Sequence, residues 1–333
     1  MKKMLIIVLV CCGAMSAFAQ NAKPPLQLIQ TIPLPNVAGR IDHMDVDAAT
    51  MRLFIAALGN NSLEVVGLRE GTVVRSFKGF SEPQGVAFVP EMQAIVVANG
   101  GDGTCMLIDG DSYDFVKSVN LHDDADNIRY DAGSKTAYVG YGNGGIAALD
   151  LGRGIVTAEA PLSGHPESFQ LDDASNRMYV NVPVRHEIAV IDWDEPASVI
   201  ATWHLDSLSG NFPMAMDEKG KRLFIATRDP ARFVVMDTDS GKIISSVECS
   251  KDADDIYYDA EAKRIYVSCG EGFIDVFQRQ GGGRYVRGER ILTARGARTS
   301  LFVPSLNEFF LAVPKSGNDP AELRVYRVQS VQK

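Results

Sequence analysis

The sequence predicts an all-β fold: a seven-bladed β-propeller of four-stranded blades whose ring is closed by the N-terminal strand. Three observations predict it. One short pattern recurs seven times at a near-constant spacing, and each interval carries four strand signals separated by turn residues. The last interval is also one strand short, while the segment ahead of the first has one to spare.

The recurring pattern is Lys, Arg or Asn, then an apolar or aromatic pair, a β-branched residue and a small residue. Clear copies are Arg52-Leu53-Phe54-Ile55-Ala56, Lys135-Thr136-Ala137-Tyr138-Val139-Gly140 and Asn176-Arg177-Met178-Tyr179-Val180-Asn181. Two more are Lys221-Arg222-Leu223-Phe224-Ile225-Ala226 and Lys263-Arg264-Ile265-Tyr266-Val267-Ser268. Degenerate copies are Gln93-Ala94-Ile95-Val96-Val97-Ala98 and Asn307-Glu308-Phe309-Phe310-Leu311-Ala312. Their last residues are 42, 42, 41, 45, 42 and 44 positions apart, inside the roughly 40–50-residue period of a four-stranded propeller blade.

Within each interval a first apolar strand, such as 85–88, precedes the recurring second strand. A third strand ends on an aspartate, as at Asp109, Asp150, Asp192 and Asp237. A polar turn follows, clearest at Thr238-Asp239-Ser240-Gly241, and then an outer strand such as 242–247. β-branched and aromatic residues fill the strands and Gly, Asp and Asn fill the turns, while no segment sustains a helical period. The seventh interval offers only three strands, near 298–303, 308–313 and 323–328. Residues 26–34 stand where an outer strand belongs, so they are expected to pair near residue 325 and remove the unpaired edges. Residues 20–333 are therefore expected to form one domain.

Ahead of it, Lys2 and Lys3, the apolar run 4–10 and the small-x-small pattern Ala17-Phe18-Ala19 read as a cleaved signal peptide over residues 1–19, with the periplasm as destination. No later run approaches the roughly 18 apolar residues of a membrane helix, so no membrane insertion is expected, and a monomer is the simplest state. Removing Lys2 and Lys3 from the 33 basic residues leaves 31 against 42 acidic, a formal charge of −11. That balance, with no basic run, argues against nucleic acid as a partner. Cys105, Cys249 and Cys269 remain; Cys249 and Cys269 are candidates for a disulfide, and buried inert thiols are the simpler expectation.

The repeats, read together with the apparent export signal, resemble the bacterial YVTN-type, YncE-like seven-bladed propellers over about residues 26–330. The resemblance implies the architecture but no single activity. The literal Tyr-Val-Thr-Asn tetrapeptide is absent, and Tyr179-Val180-Asn181-Val182 is its nearest counterpart. A looser resemblance runs to the seven-bladed lactonase propellers.

In a propeller the first strand of each blade lines the central channel, and the loops leading into it open on one face. Counting back 14 and 13 residues from the end of each recurring pattern gives the residues at that opening. They are Asp42-His43, Gln84-Gly85, Asp126-Asn127, Glu167-Ser168, Phe212-Pro213, Asp254-Asp255 and Arg298-Thr299, with Arg40 and His165 just ahead of theirs. Arg40, Asp42, His43, Gln84, Asp126, Asn127, Asp254, Asp255 and Arg298 are accordingly the candidate binding residues for a small ligand or periplasmic protein partner. His165, Glu167 and Arg298 are the candidates for base, acid and anion clamp in a lactonase-like hydrolase. Asp126 and Asp254, in the near-copies Asp124-Ala125-Asp126-Asn127-Ile128 and Asp252-Ala253-Asp254-Asp255-Ile256, are the candidate cation ligands. Against these stands a purely structural role, because Asp and Asn ahead of strands commonly hold turn amides. No HExxH, GxSxG or Walker pattern occurs, and the sequence calls for no cofactor.

Overall fold

The computed structural model describes residues 23–193 and 197–329; the expected signal segment 1–19 lies outside them. Seven antiparallel sheets of four strands each form a β-propeller. Blades 1 to 6 span 44–78, 83–120, 125–161, 169–204, 214–248 and 253–292, each in simple chain order from the channel outward. Blade 7 combines Thr299–Val303, Glu308–Val313 and Ala321–Val328 with the N-terminal strand Leu26–Leu34.

The recurring pattern is the second strand of every blade, from Arg52–Ala57 in blade 1 to Glu308–Val313 in blade 7. These strands lie inside the sheets and against the next blade, so nearly every residue is buried. That explains the preference for β-branched, aromatic and small side chains. The residue ahead of each strand is Met51, Gln93, Lys135, Asn176, Lys221, Lys263 or Asn307, and all seven have φ between 46° and 59°. A tight hairpin turn that closes on a left-handed residue matches the strand twist. In six blades the polar residue opening the repeat is therefore the turn residue, with its side chain exposed, and in blade 1 Met51, just ahead of Arg52, takes that place.

Aspartates fix the same turns from the other side. Asp47 Oδ1 accepts the amides of Ala49 and Thr50, Asp259 Oδ1 those of Glu261 and Ala262, and Asp131 those of Gly133 and Ser134. The aspartates ending third strands do likewise at the outer turns, as Asp109 does for Asp111 and Ser112.

Ring closure follows the sequence expectation. Leu26–Leu34 runs antiparallel to Ala321–Val328, from Leu26 opposite Val328 to Leu34 opposite Ala321, with one bulge between Leu28 and Gln30. Ile32 and Leu34 are fully buried in a cluster that joins Leu53 and Ile55 of blade 1 to Phe310, Leu323 and Val325 of blade 7. Pro25 is also buried, and its carbonyl accepts the Gln329 amide at 2.9 Å. Among the described residues Cys105, Cys249 and Cys269 are buried and unpaired, and burial pushes the Cys105 and Cys249 thiols up to about 12. Among the described residues no helix is long and apolar enough to cross a membrane.

Candidate functional site at the channel mouth

Blades 1 and 4 bring their leading loops to the mouth by the same backbone device. The Asp42 amide donates to the Ala56 carbonyl at 2.8 Å and the Ala56 amide returns to His43 at 3.0 Å. Glu167 and Ser168 repeat this with Asn181 in blade 4, at 2.9 and 3.1 Å. The residue leading the inner strand is thus pinned to the end of the second strand, which fixes its side chain at the rim. Neighbouring blades are tied by His43 N to Gln84 O and by Ser168 N to Phe212 O, both 3.2 Å. Gly85 is needed where blade 2 meets blade 3, because a Cβ there would lie 2.1 Å from the Asp126 carbonyl oxygen.

The result is a cavity of about 250 Å³ to which all seven blades contribute side chains. Of the candidates from the sequence, Arg40, Asp42, His43, Gln84, Asp126, Asn127, His165, Glu167, Asp254 and Arg298 line it. Asp255 does not. Its carboxylate turns into a chamber of about 430 Å³ below, where Oδ2 accepts the Ser300 amide of blade 7 at 2.6 Å. Asp45, Arg129, Gln170 and Tyr257 line the same chamber. Burial pushes Asp255 up to about 7 and Asp45 up to about 6.

Two residues lining the cavity, Asp124 and Arg228, were not among the sequence candidates, and neither was Asp252, which pairs with Arg228 and Arg298 beside it. Asp124 and Asp252 open the two near-copies, each with a positive φ (24° and 61°) that turns the chain at the rim. Arg228 ends the second strand of blade 5, which runs on to the mouth. A signal was available for each, since both ends of the hairpin reach this face.

The arginines are spent on carboxylates. Arg298 Nη1 lies 2.6 Å from Asp252 and its Nε 3.0 Å from Asp254. Arg228 meets Asp252 at 3.4 Å and also bonds Asp254, while its guanidinium lies 3.8 Å over the Phe212 ring. Arg40 pairs with buried Asp42 at 2.7 Å. The four-membered set Arg228, Arg298, Asp252 and Asp254 is neutral by formal charge. Asp254, expected from the sequence as a cation ligand, is held between two guanidiniums.

What remains is Asp124, Asp126 and Glu167 with two histidines. His165 Nδ1 approaches the Gly142 carbonyl at 2.6 Å and Asp124 at 3.7 Å, and its Nε2 lies 3.6 Å from Asp126 Oδ2. His43 Nε2 lies 3.7 Å from Asp126 Oδ1. Gln84 donates to Asp124 at 2.8 Å. One ligating atom from each of Asp126, His165 and Glu167 lies within 4.8 Å of the other two. Burial, and after it the neighbouring Asp126, holds both the Asp42 and the Glu167 carboxyl well above the usual range. Burial also pulls against the charged form of His165, but its contacts with Asp126 and the Gly142 carbonyl outweigh this and bring it to about 9.

A solved structure described as Kuenenia stuttgartiensis hydrazine synthase is similar to this chain at 16% identity and a TM-score of 0.76, covering 90% of this chain and 97% of that one. The likeness is one of fold. No family model and no curated protein matches the chain. The mouth therefore has to be read on its own chemistry. It is concave, strongly polar, richer in carboxylates than in guanidiniums, and walled by rigid strands.

Proposed function

We propose that the chain is an exported, periplasmic propeller of the YncE-like kind that binds a small ligand at its channel mouth without turning it over. The observation that carries this reading is the convergence of side chains from all seven blades on one cavity of about 250 Å³. That volume lies near the lower end for small-molecule sites and favours a metabolite over a protein segment. Five carboxyl groups lining the cavity with three guanidiniums favour a ligand that carries positive charge or arrives with a cation. Export rests on Lys2, Lys3, the apolar run behind them and Ala17-Phe18-Ala19. A monomer remains part of the proposal, and nucleic acid is disfavoured by the acidic balance.

The second reading is a lactonase-like hydrolase at the same mouth, favoured by His165 and Glu167 facing one cavity. Arg298, its proposed anion clamp, is already bonded to Asp252 and Asp254, which is why binding ranks first.

A thermal-shift panel of amino acids, polyamines, sugar acids and sugar lactones on residues 20–333 tests both. Binding predicts a dose-dependent rise in melting temperature with at least one class. Asp126→Asn should remove that rise, and Lys219→Ala, in a turn at the far end of blade 5, should leave it. No rise with any class, or a rise untouched by Asp126→Asn, overturns the proposal. Lactone turnover that disappears in His165→Ala selects the hydrolase.

A further inference from the structure

We propose that Asp126, His165 and Glu167 form a binding site for one divalent transition-metal ion of the zinc or manganese class, an inference that rests on the reading of the mouth as a ligand site. Charge pairing isolates this group. Arg40 is taken by Asp42, and Arg228 and Arg298 by Asp252 and Asp254. Asp126 and Glu167 have no guanidinium within ion-pair distance among the described residues. Their carboxyl groups, left without an arginine, are gathered on one side of the cavity.

The histidine is set as metal-bound histidines are. With Nδ1–H donating to the Gly142 carbonyl at 2.6 Å, Nε2 is the ring nitrogen left to face Asp126 Oδ2, 3.6 Å away. Either a proton or a cation must sit between that nitrogen and the carboxylate. Metal–ligand bonds of about 2.0–2.2 Å imply ligand–ligand edges of about 3.2–3.6 Å in a tetrahedral site. The His165–Asp126 edge already meets this, and the ligating atoms of all three residues lie within 4.8 Å of one another.

A separate observation points the same way. Asn127 also lines the mouth, is only 1% exposed, and its Oδ1 has no hydrogen-bond partner. A buried acceptor left without a donor costs about 1–3 kcal/mol, and a metal-bound water at this rim would supply one. One imidazole with two carboxylates selects a borderline transition ion, since calcium prefers an all-oxygen shell of six to eight ligands. Three protein ligands also leave coordination positions open toward the cavity, so a bound metabolite with a carboxylate or hydroxyl group would complete the sphere.

The test uses residues 20–333 after chelator treatment, with Co²⁺ as optical probe, Zn²⁺ by calorimetry, and Ca²⁺ for comparison. The expected result is one Co²⁺ per chain with a visible absorption band, displaced by one Zn²⁺, and no comparable Ca²⁺ binding. Affinity should fall at least 100-fold in Asp126→Asn, His165→Gln and Glu167→Gln, and stay unchanged in His204→Gln, a histidine on an outer strand. X-ray absorption of the zinc-loaded wild type provides a readout that does not depend on any variant folding: one imidazole in an otherwise oxygen shell is expected. Absence of stoichiometric binding, a shell without imidazole, or equal binding by His165→Gln overturns the site and leaves a proton as the occupant of Nε2. If the chelated protein still binds a metabolite from the panel in an Asp126-dependent way, the metal inference alone has failed and the ligand reading stands.

Discussion

Ile32 tests whether the N-terminal strand holds the ring shut. It is fully buried between blades 1 and 7, among Leu53, Ile55, Phe310 and Leu323, each also fully buried. Large-to-small changes in a core cost about 2–5 kcal/mol, and more where the walls cannot collapse. These walls are strands of two sheets fixed by their own hydrogen bonds, so Ile32→Ala should reach at least the middle of that range, about 3–4 kcal/mol. At about 2 °C per kcal/mol for a chain of this size, the melting temperature should drop by about 6–8 °C. The control sits on the same strand: Leu28 is 49% exposed, and Leu28→Ala should stay within about 0.5 kcal/mol. Both variants keep the strand and its pairing, so only burial differs between them. Urea and thermal unfolding of the two proteins give the comparison. Equal losses would refute the view that the seam is held by side-chain burial.

Three further outcomes follow from the geometry. Asp255, at about 7, faces His43, Asp254, Asp42 and the Ser300 amide, and Asp45, at about 6, faces Arg129 and the amides of Phe88 and Val46. Both values are raised above the unfolded one, so their stabilising contribution is full below about pH 4 and is lost as pH rises through 6 to 7. Asp255→Asn keeps an acceptor for Ser300 and removes the titration. It should flatten the change in unfolding free energy between pH 5 and pH 8 by on the order of 2–4 kcal/mol, and an unaltered pH dependence refutes this. Gly85→Ala forces a Cβ against the Asp126 carbonyl and should cost about 1–3 kcal/mol or more, whereas Gly281→Ala, with nothing within 4 Å, should be near neutral in the same melts. Truncation to Pro24 should leave stability unchanged; truncation through Pro25 also removes the carbonyl that accepts Gln329 and should lower the melting point measurably.

Blade number and ring closure were legible because turn chemistry repeats with the fold. The left-handed residue ahead of each second strand and the aspartates at the turns recur for one mechanical reason, so counting from them locates every hairpin. The same count reaches the rim, because two paired strands have a fixed rise per residue. It could not assign Asp255, since two adjacent residues in a bulged segment can face different spaces. Asp255 takes its direction from the Ser300 amide of the next blade, a partner 45 positions away in sequence. Asp124, Asp252 and Arg228 were missed for a related reason. They reach the cavity or the arginines beside it from positions whose direction depends on a local left-handed turn or on a strand running one residue further than its counterparts.

The repeats also weigh a structural mouth against a functional one. A position that performs the same local task in every blade should carry the same residue in most of them. The last residue of the inner strand does so: Asp47, Asp131, Asp172, Asp217 and Asp259 occupy five blades, and the other two have Val89-Pro90 and Val303-Pro304 with a single turn of 3-10 helix. Most of those aspartates accept turn amides. The mouth position carries Asp42, Gln84, Asp126, Glu167, Phe212, Asp254 and Arg298. The side chains of Asp42, Asp126 and Asp254 are engaged by arginine, histidine or amide side chains, and none of the three holds a turn amide of its own loop. Five blades agree at one end of the inner strand while the seven carry five residue types at the other, so they are not capping seven turns at the second end. They are composing one asymmetric surface, in which blades 5, 6 and 7 neutralise one another and blades 3 and 4 are left with charge to place.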